Sequence, residues 1–395
     1  MKNALTVAIV VIIIAVTAWI IQPVPQTNPS PQDPPQQKTA HDQAEQILDE
    51  LLKQKCRNPA VPWASVHGAL VFGKDFKLSD GRSAIRGAIE DFIEEKDGHL
   101  SFPSGRNGQP IESHPGLFSK VAVGLGLKLK GLKNAGLTAP RLWRDTIARY
   151  RPEAPVHNQE WLLEVIFRKA KPALRKQAGE RALTTLERDQ AYIQALMKKP
   201  GAAERFQKKS KLVGGRRVAA AIHAQYCGGN HLIQATALAV ARDLGPEGKR
   251  RFEAQMRALI WRLSAEAGYW NRVIMQISKQ APKDSEGRPR SPDLDICMSQ
   301  KLKFLGHSIE SYGLAVKLGA MTPTPADQTA VKAAVQALAE HILQMDSLGV
   351  FARLGSYRQD RRTAQLETDL IGDSAHALHG LNLWKTIKPK TSQTK

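Results

Sequence analysis

The strongest constraint on this chain is an alternation that starts at Thr39 and runs to Trp384. Helical stretches apolar on every side take turns with stretches apolar on one side only. Leu117 to Leu129, Leu232 to Leu244 and Cys297 to Leu318 are of the first kind, as is Arg362 to Trp384; His41 to Lys55, Pro172 to Lys198 and Glu247 to Gly268 are of the second. A helix that is hydrophobic all round has to be buried, and a charged one-sided helix has to cover it. The expected fold is therefore all-α, a double-layered α/α barrel (toroid) of about six helical hairpins over residues 39–386, with an inner and an outer ring of helices. A solenoid of stacked pairs would show a fixed period of self-similarity, which this sequence lacks.

Ala4 to Ile21 carry no charge and make about 18 residues, near the lower limit for a membrane-spanning helix. Lys2 precedes them and no Lys or Arg follows until Lys38, so the N-terminus is expected in the cytoplasm and the remainder outside. Val16-Thr17-Ala18 would serve as a signal-peptide cleavage site. The apolar run continues through Trp19-Ile20-Ile21, which favours an uncleaved anchor. Residues 1–21 are thus read as a single-pass inner-membrane anchor, or as a leader to a periplasmic or secreted protein. Residues 22–38, rich in Pro and Gln, read as a disordered tether, and 387–395 as a basic, frayed tail.

The 395-residue chain has a net charge of +20. Lys and Arg concentrate in Arg168 to Lys176 and Lys198 to Arg217. Solvated outer helix faces would account for this, and so would an anionic partner such as an acidic envelope polymer or lipid headgroups. Nucleic-acid binding calls for aromatics interleaved with the cations, and Phe206 alone in the second cluster argues against it. Three cysteines are present, Cys56, Cys227 and Cys297, without a C-x-x-C pair. That excludes a redox motif or compact zinc knuckle and leaves two readings, a Cys227–Cys297 disulfide or buried free thiols.

Candidate chemistry gathers on the apolar helices. In Tyr226-Cys227-Gly228-Gly229-Asn230-His231, Asn230 is expected to cap a helix with His231 in its first turn, where backbone N–H groups keep an imidazole neutral. Gly228-Gly229 argue against a continuous helix through Cys227 and His231. Cys227 could be a nucleophile, half of a metal site or simply a buried thiol. His307 and Glu310 are three apart and share a helical face, as do Asp373 and His376, and His376 and His379. Such spacing builds acid–base pairs, metal sites and satisfied polar networks alike. His67 and His114 fit the same pattern, and Trp63 and Tyr226 could wall a cavity. Each histidine is expected near the start of an inner helix, so that parallel helices bring them to one mouth. The predicted catalytic or ligand residues are His231, His307, Glu310, His376 and Cys227, with His67, His114, Trp63, Tyr226 and His379 lining the substrate. A divalent metal such as zinc suits the set.

Pro62-Trp63 with Val66-His67-Gly68, Glu112-Ser113-His114-Pro115, Cys227-Gly228-Gly229-Asn230-His231, and Gly306-His307 with Glu310 together resemble an uncharacterised group of exported proteins from planctomycete-type bacteria. The resemblance covers most of the folded region and implies the same α/α barrel. That group has Thr where this chain has Asn230, and the GTPase-activator name attached to it fits no exported chain. The architecture is also similar to α/α-toroid enzymes such as lanthionine-synthetase cyclases, terpenoid cyclases and six-hairpin glycosidases. The Asp-rich metal motif and the Cys-His dipeptide of two of these are absent. Two functions follow as expectations. One is a hydrolase- or lyase-like enzyme acting on an anionic or polymeric envelope substrate. The other is a non-catalytic envelope protein whose basic barrel binds an acidic polymer or protein.

Overall fold

The computed structural model describes residues 38–106, 109–128, 137–208, 211–213, 216–218 and 226–387. Apart from Lys38 these belong to the larger of the chain's two compact units, Thr39–Lys395. The expected anchor and nearly all of the tether and of the basic tail lie outside the described residues. Among the described residues no helix is long and apolar enough to cross a membrane.

The described chain is predominantly helical, with three small antiparallel hairpins. Its helices are α1 (Ala40–Lys55), α2 (Pro62–Phe72), α3 (Ala84–Phe92), α4 (Leu117–Gly124), α5 (Ala139–Ala148), α6 (Glu160–Lys169), α7 (Pro172–Met197) and α8 (Ala202–Lys208). They continue with α9 (Tyr226–Arg242), α10 (Gly245–Gln280), α11 (Pro292–Lys317), α12 (Pro325–Ser347) and α13 (Leu366–Ile387). Local chemistry sets many of the boundaries. Thr39 and Asp42 form a capping box at α1, and Thr324 and Asp327 form another at α12. Proline occupies the first turn of α2, α5, α7, α10, α11 and α12, where its missing N–H is not needed.

Several sequence expectations fail locally. Between α2 and α3 the backbone forms a single bridge, Lys77 to Ser83. Paired strands stand further on, Glu94–Lys96 with His99–Ser101, where an all-α reading has no place for them. Helix α8 ends at Lys208 and is followed by the paired strands Lys211–Val213 and Arg216–Val218. Helix α10 runs through Tyr269 and Trp270 as one unbroken element. All three cysteines are free thiols, so no Cys227–Cys297 disulfide forms.

Packing places α2, α4, α6, α9, α11 and α13 beside one another in that order, with α13 also resting on α2. Paired residues fix their sense. Trp63 Nε1 donates to Thr368 O, and one turn later His67 lies against Gly372. Gly116 meets Leu162, and one turn later Lys120 meets Glu164. Trp161 meets His231, while the Phe167 carbonyl further along accepts from Arg242. Asn230 donates to Ser308 and Gln234 to Ser311. Gly306 meets Ala377, and Gly313 meets Leu383. All six helices therefore run the same way. Helices α3, α5, α7 and α10 each pack on the helices that flank them in the chain, while α1 packs on α2, α12 and α13, and α12 packs on α1, α10 and α11.

Candidate functional site

The imidazoles of His67, His231, His307 and His376 meet among these six helices. His307 and His376 stack with centroids 3.8 Å apart, and His231 sets its edge against both, at 5.3 and 5.1 Å. His67 lies 5.6 Å from His376 and 4.5 Å from Trp63. His114 stacks on Trp161 at 4.0 Å, and Trp161 leans on His231 at 5.0 Å. Every predicted site histidine except His379 is linked in this chain of rings.

Glu310 organises one side. Its carboxylate accepts from His376 Nδ1 and His379 Nδ1, both at 2.7 Å, and from Gln234 Nε2 at 2.8 Å. Lys120 organises the other. Its ammonium lies 2.7 Å from Glu164 Oε1, 2.7 Å from His231 Nδ1 and 3.3 Å from Gln234 Oε1. Breaking a buried pair such as Lys120–Glu164 costs about 3–5 kcal/mol, because one charge is then left without its partner. Asp373 faces His307 Nε2 at 3.5 Å and Lys303 at 3.6 Å, and Lys303 also bonds Asp369.

These partners cross between helices in a way the spacing did not foretell. Glu310 bonds the imidazoles of α13, and its helix neighbour His307 faces Asp373. Sequence reasoning also placed the histidines at helix starts. The structure puts His307 and His376 near the middle of α11 and α13, so the centre is deep rather than at a rim. Asn230 is no cap, because α9 already starts at Tyr226 and carries Gly228 and Gly229 inside it. Cys227 and His231 therefore share a helical face after all. Tyr226 opens that helix. Lys120, Glu164, Gln234 and Trp161 went unnoticed in the sequence. A lysine inside the apolar run Leu117 to Leu129 was the one signal that could have found part of the set.

Burial dominates the electrostatics. It lowers His67 and His307 to about 3 and His376 to about 4. Burial, then Lys120 and the neighbouring imidazoles, holds His231 well below its ordinary value. Burial alone would raise Glu310, but His376 and His379 overcome it and hold the carboxyl well below the usual range. Burial lifts Asp373 to about 7 against the pull of Lys303, and pushes the Cys227 thiol up to about 12. The centre thus holds neutral imidazoles around an ionised Glu310. Two buried polar atoms here have no hydrogen-bond partner, His307 Nδ1 and Trp161 Nε1.

Burial is graded along these helices. His231, His307, Glu310 and His376 are buried. Cys227, Lys303 and Asp369, which lie nearer the starts of their helices, are half-exposed, as is His114. A separate surface depression of about 460 Å³ lies elsewhere, lined by Asn271, Met275, Lys279, Lys283 and Gln344, and contains none of the predicted site residues. The chain matches no protein-family model, no curated protein and no solved structure.

Proposed function

We propose that residues 39–386 form an α/α barrel of six helical hairpins whose axis carries the acid–base centre of a hydrolase- or lyase-like enzyme. Its substrate is an anionic component of the cell envelope. The barrel is supported by six helices running in one sense, each packed on the next, with α13 against both α11 and α2. The uncharged run Ala4 to Ile21 supports an exported, membrane-held location, and the net charge of +20 supports an anionic substrate.

One observation carries the catalytic reading, the Glu310 carboxylate bonded to the Nδ1 atoms of two imidazoles. A carboxylate accepts only, so His376 and His379 each hold a proton on Nδ1, and burial keeps His376 neutral, which leaves its Nε2 bare. His376 is then the base. In hydrolysis it takes a proton from the water whose oxygen displaces the leaving oxygen. In elimination it takes one from the carbon beside a substrate carboxylate as the neighbouring carbon–oxygen bond breaks. In both the imidazolium returns the proton to the leaving oxygen. Glu310 balances the imidazolium that forms. The depth of the histidines suits a group at the end of a polymer, entering past Cys227, His114 and Lys303, rather than one in mid-chain.

The test uses a panel of acidic polysaccharides with the wild type and Glu310→Gln. New reducing ends report hydrolysis, and ultraviolet absorption of a new carbon–carbon double bond reports elimination. Glu310→Gln should lose about 10²–10⁴-fold in turnover while keeping its helical circular dichroism. Turnover unchanged in a folded Glu310→Gln protein, or polymer binding by both proteins without any product, would leave a binding protein and no enzyme.

A further inference from the structure

We propose that Cys227, His231 and His307 hold a zinc-class divalent cation on the entrance side of this centre. A ligating atom from each lies within 4.8 Å of the other two. The unbroken helix α9 gives Cys227 and His231 one face, one turn apart, and α11 brings His307 against it. A second trio, His307, Glu310 and His376, is equally compact. Its Glu310 and His376 already bond each other, and His379 takes the other carboxylate oxygen, so its donors are committed to a hydrogen-bond network.

The first trio is not committed in this way. His307 has Asp373 behind Nε2 at 3.5 Å and a buried Nδ1 without a partner. A carboxylate behind one nitrogen is the usual support of a ligating imidazole. His231 meets two groups at Nδ1, Lys120 at 2.7 Å and the acceptor Gln234 Oε1 at 3.1 Å. Lys120 donates to Nδ1 in this structure; when a cation takes Nε2 the ring proton moves to Nδ1 and is donated to Gln234, and Lys120 turns to Glu164 alone. Cation binding releases the Cys227 proton to solvent. Thiolate with imidazole favours zinc over magnesium or calcium, and three protein ligands leave one coordination position open. The half-exposed Cys227 puts that position toward the entrance.

This proposal deepens the reading of the same centre and rests on its placement, but the two fail separately. The full chain, purified in mild detergent, is stripped with a chelator and titrated with cobalt(II) and zinc. We expect one cobalt per chain with a near-ultraviolet sulfur-to-cobalt charge-transfer band. Cys227→Ser should remove the band and weaken zinc binding by more than the ~10–100-fold typical of a lost supporting residue. His307→Ala should weaken it similarly, whereas Cys297→Ser should keep both band and affinity. Absence of the sulfur band in the wild type, or wild-type zinc affinity in Cys227→Ser, overturns the site. A sulfur band together with wild-type turnover in Glu310→Gln overturns the acid–base reading alone. Turnover that depends on Glu310 without any sulfur band overturns the metal site alone.

Discussion

His341 on α12 lies outside the site and isolates what burial does to an imidazole in this protein. Its Nε2 donates to the Met298 carbonyl at 2.8 Å. Burial first, and then Lys301, lowers it to about 3 from an ordinary value near 6.5. A group whose folded value is depressed keeps its full contribution above the unfolded value. That contribution is lost as the pH falls from about 6.5 toward 3, at up to ~1.4 kcal/mol per pH unit. His341→Gln should therefore flatten the acid loss of stability by roughly that slope between pH 6 and 4. Urea unfolding at several pH values checks this, and parallel wild-type and variant curves would contradict it. At this scale the sequence showed which residues matter better than whom they meet. His67, His231, His307, His376 and Glu310 stand out as polar groups on apolar helices, and His114 stands just ahead of one. Their partners come from other helices, as with Lys120 and His231, 111 positions apart. Local spacing carries no information about such pairs.

Among the elements, α11 and α13 set the geometry of the site through their close approach. A side-chain carbon on Gly306 would lie 2.9 Å from the Ala377 Cα, and one on Gly380 would lie 3.0 Å from the Glu310 backbone nitrogen. Backbone cannot move aside as a flexible side-chain tip can, so Gly306→Ala must push the helices apart. We expect a loss of about 1–3 kcal/mol, as for overpacking in a core. The carboxylate on α11 would also be drawn away from the imidazoles of α13. Gly124→Ala is the control, since nothing lies within 4 Å of the added carbon. It should be neutral, or stabilising by up to about 1 kcal/mol, because alanine favours a helix over glycine. Equal melting temperatures for the two variants would show that the helices are not held at glycine distance. Glycine also explains a misreading of the sequence. Gly214-Gly215 separates two paired strands, while Gly228-Gly229 lies inside α9. The dipeptide costs a helix roughly 1 kcal/mol per residue. In α9 the burial of Leu232, Ile233, Leu238 and Val240 offsets that cost. Gly214-Gly215 is followed at once by the charged Arg216-Arg217.

For the whole folded unit, the alternation of all-apolar and one-sided stretches was legible because burial on every side leaves a mark in composition. How the ends of the chain meet was not, because that depends on α2 and α13, nearly the full length of the unit apart. Helix α13 rests on α11, α2 and α1, and Trp63 of α2 donates its indole N–H to Thr368. This separates a barrel from stacked pairs in one experiment. In a solenoid a terminal repeat touches only its neighbour, and removing it costs that one interface and leaves the remainder cooperative. In a closed barrel the last helix completes the core for the first and last hairpins together. Ending the chain at Arg362 removes α13 and so uncovers the glycine-lined face of α11. It also takes the carbonyl partner from Trp63 and two imidazoles from Glu310. We expect no cooperative thermal transition in the truncated protein by calorimetry, with residual helix that melts gradually. A sharp transition at a modestly lower temperature would mean that α13 is an add-on to a linear stack.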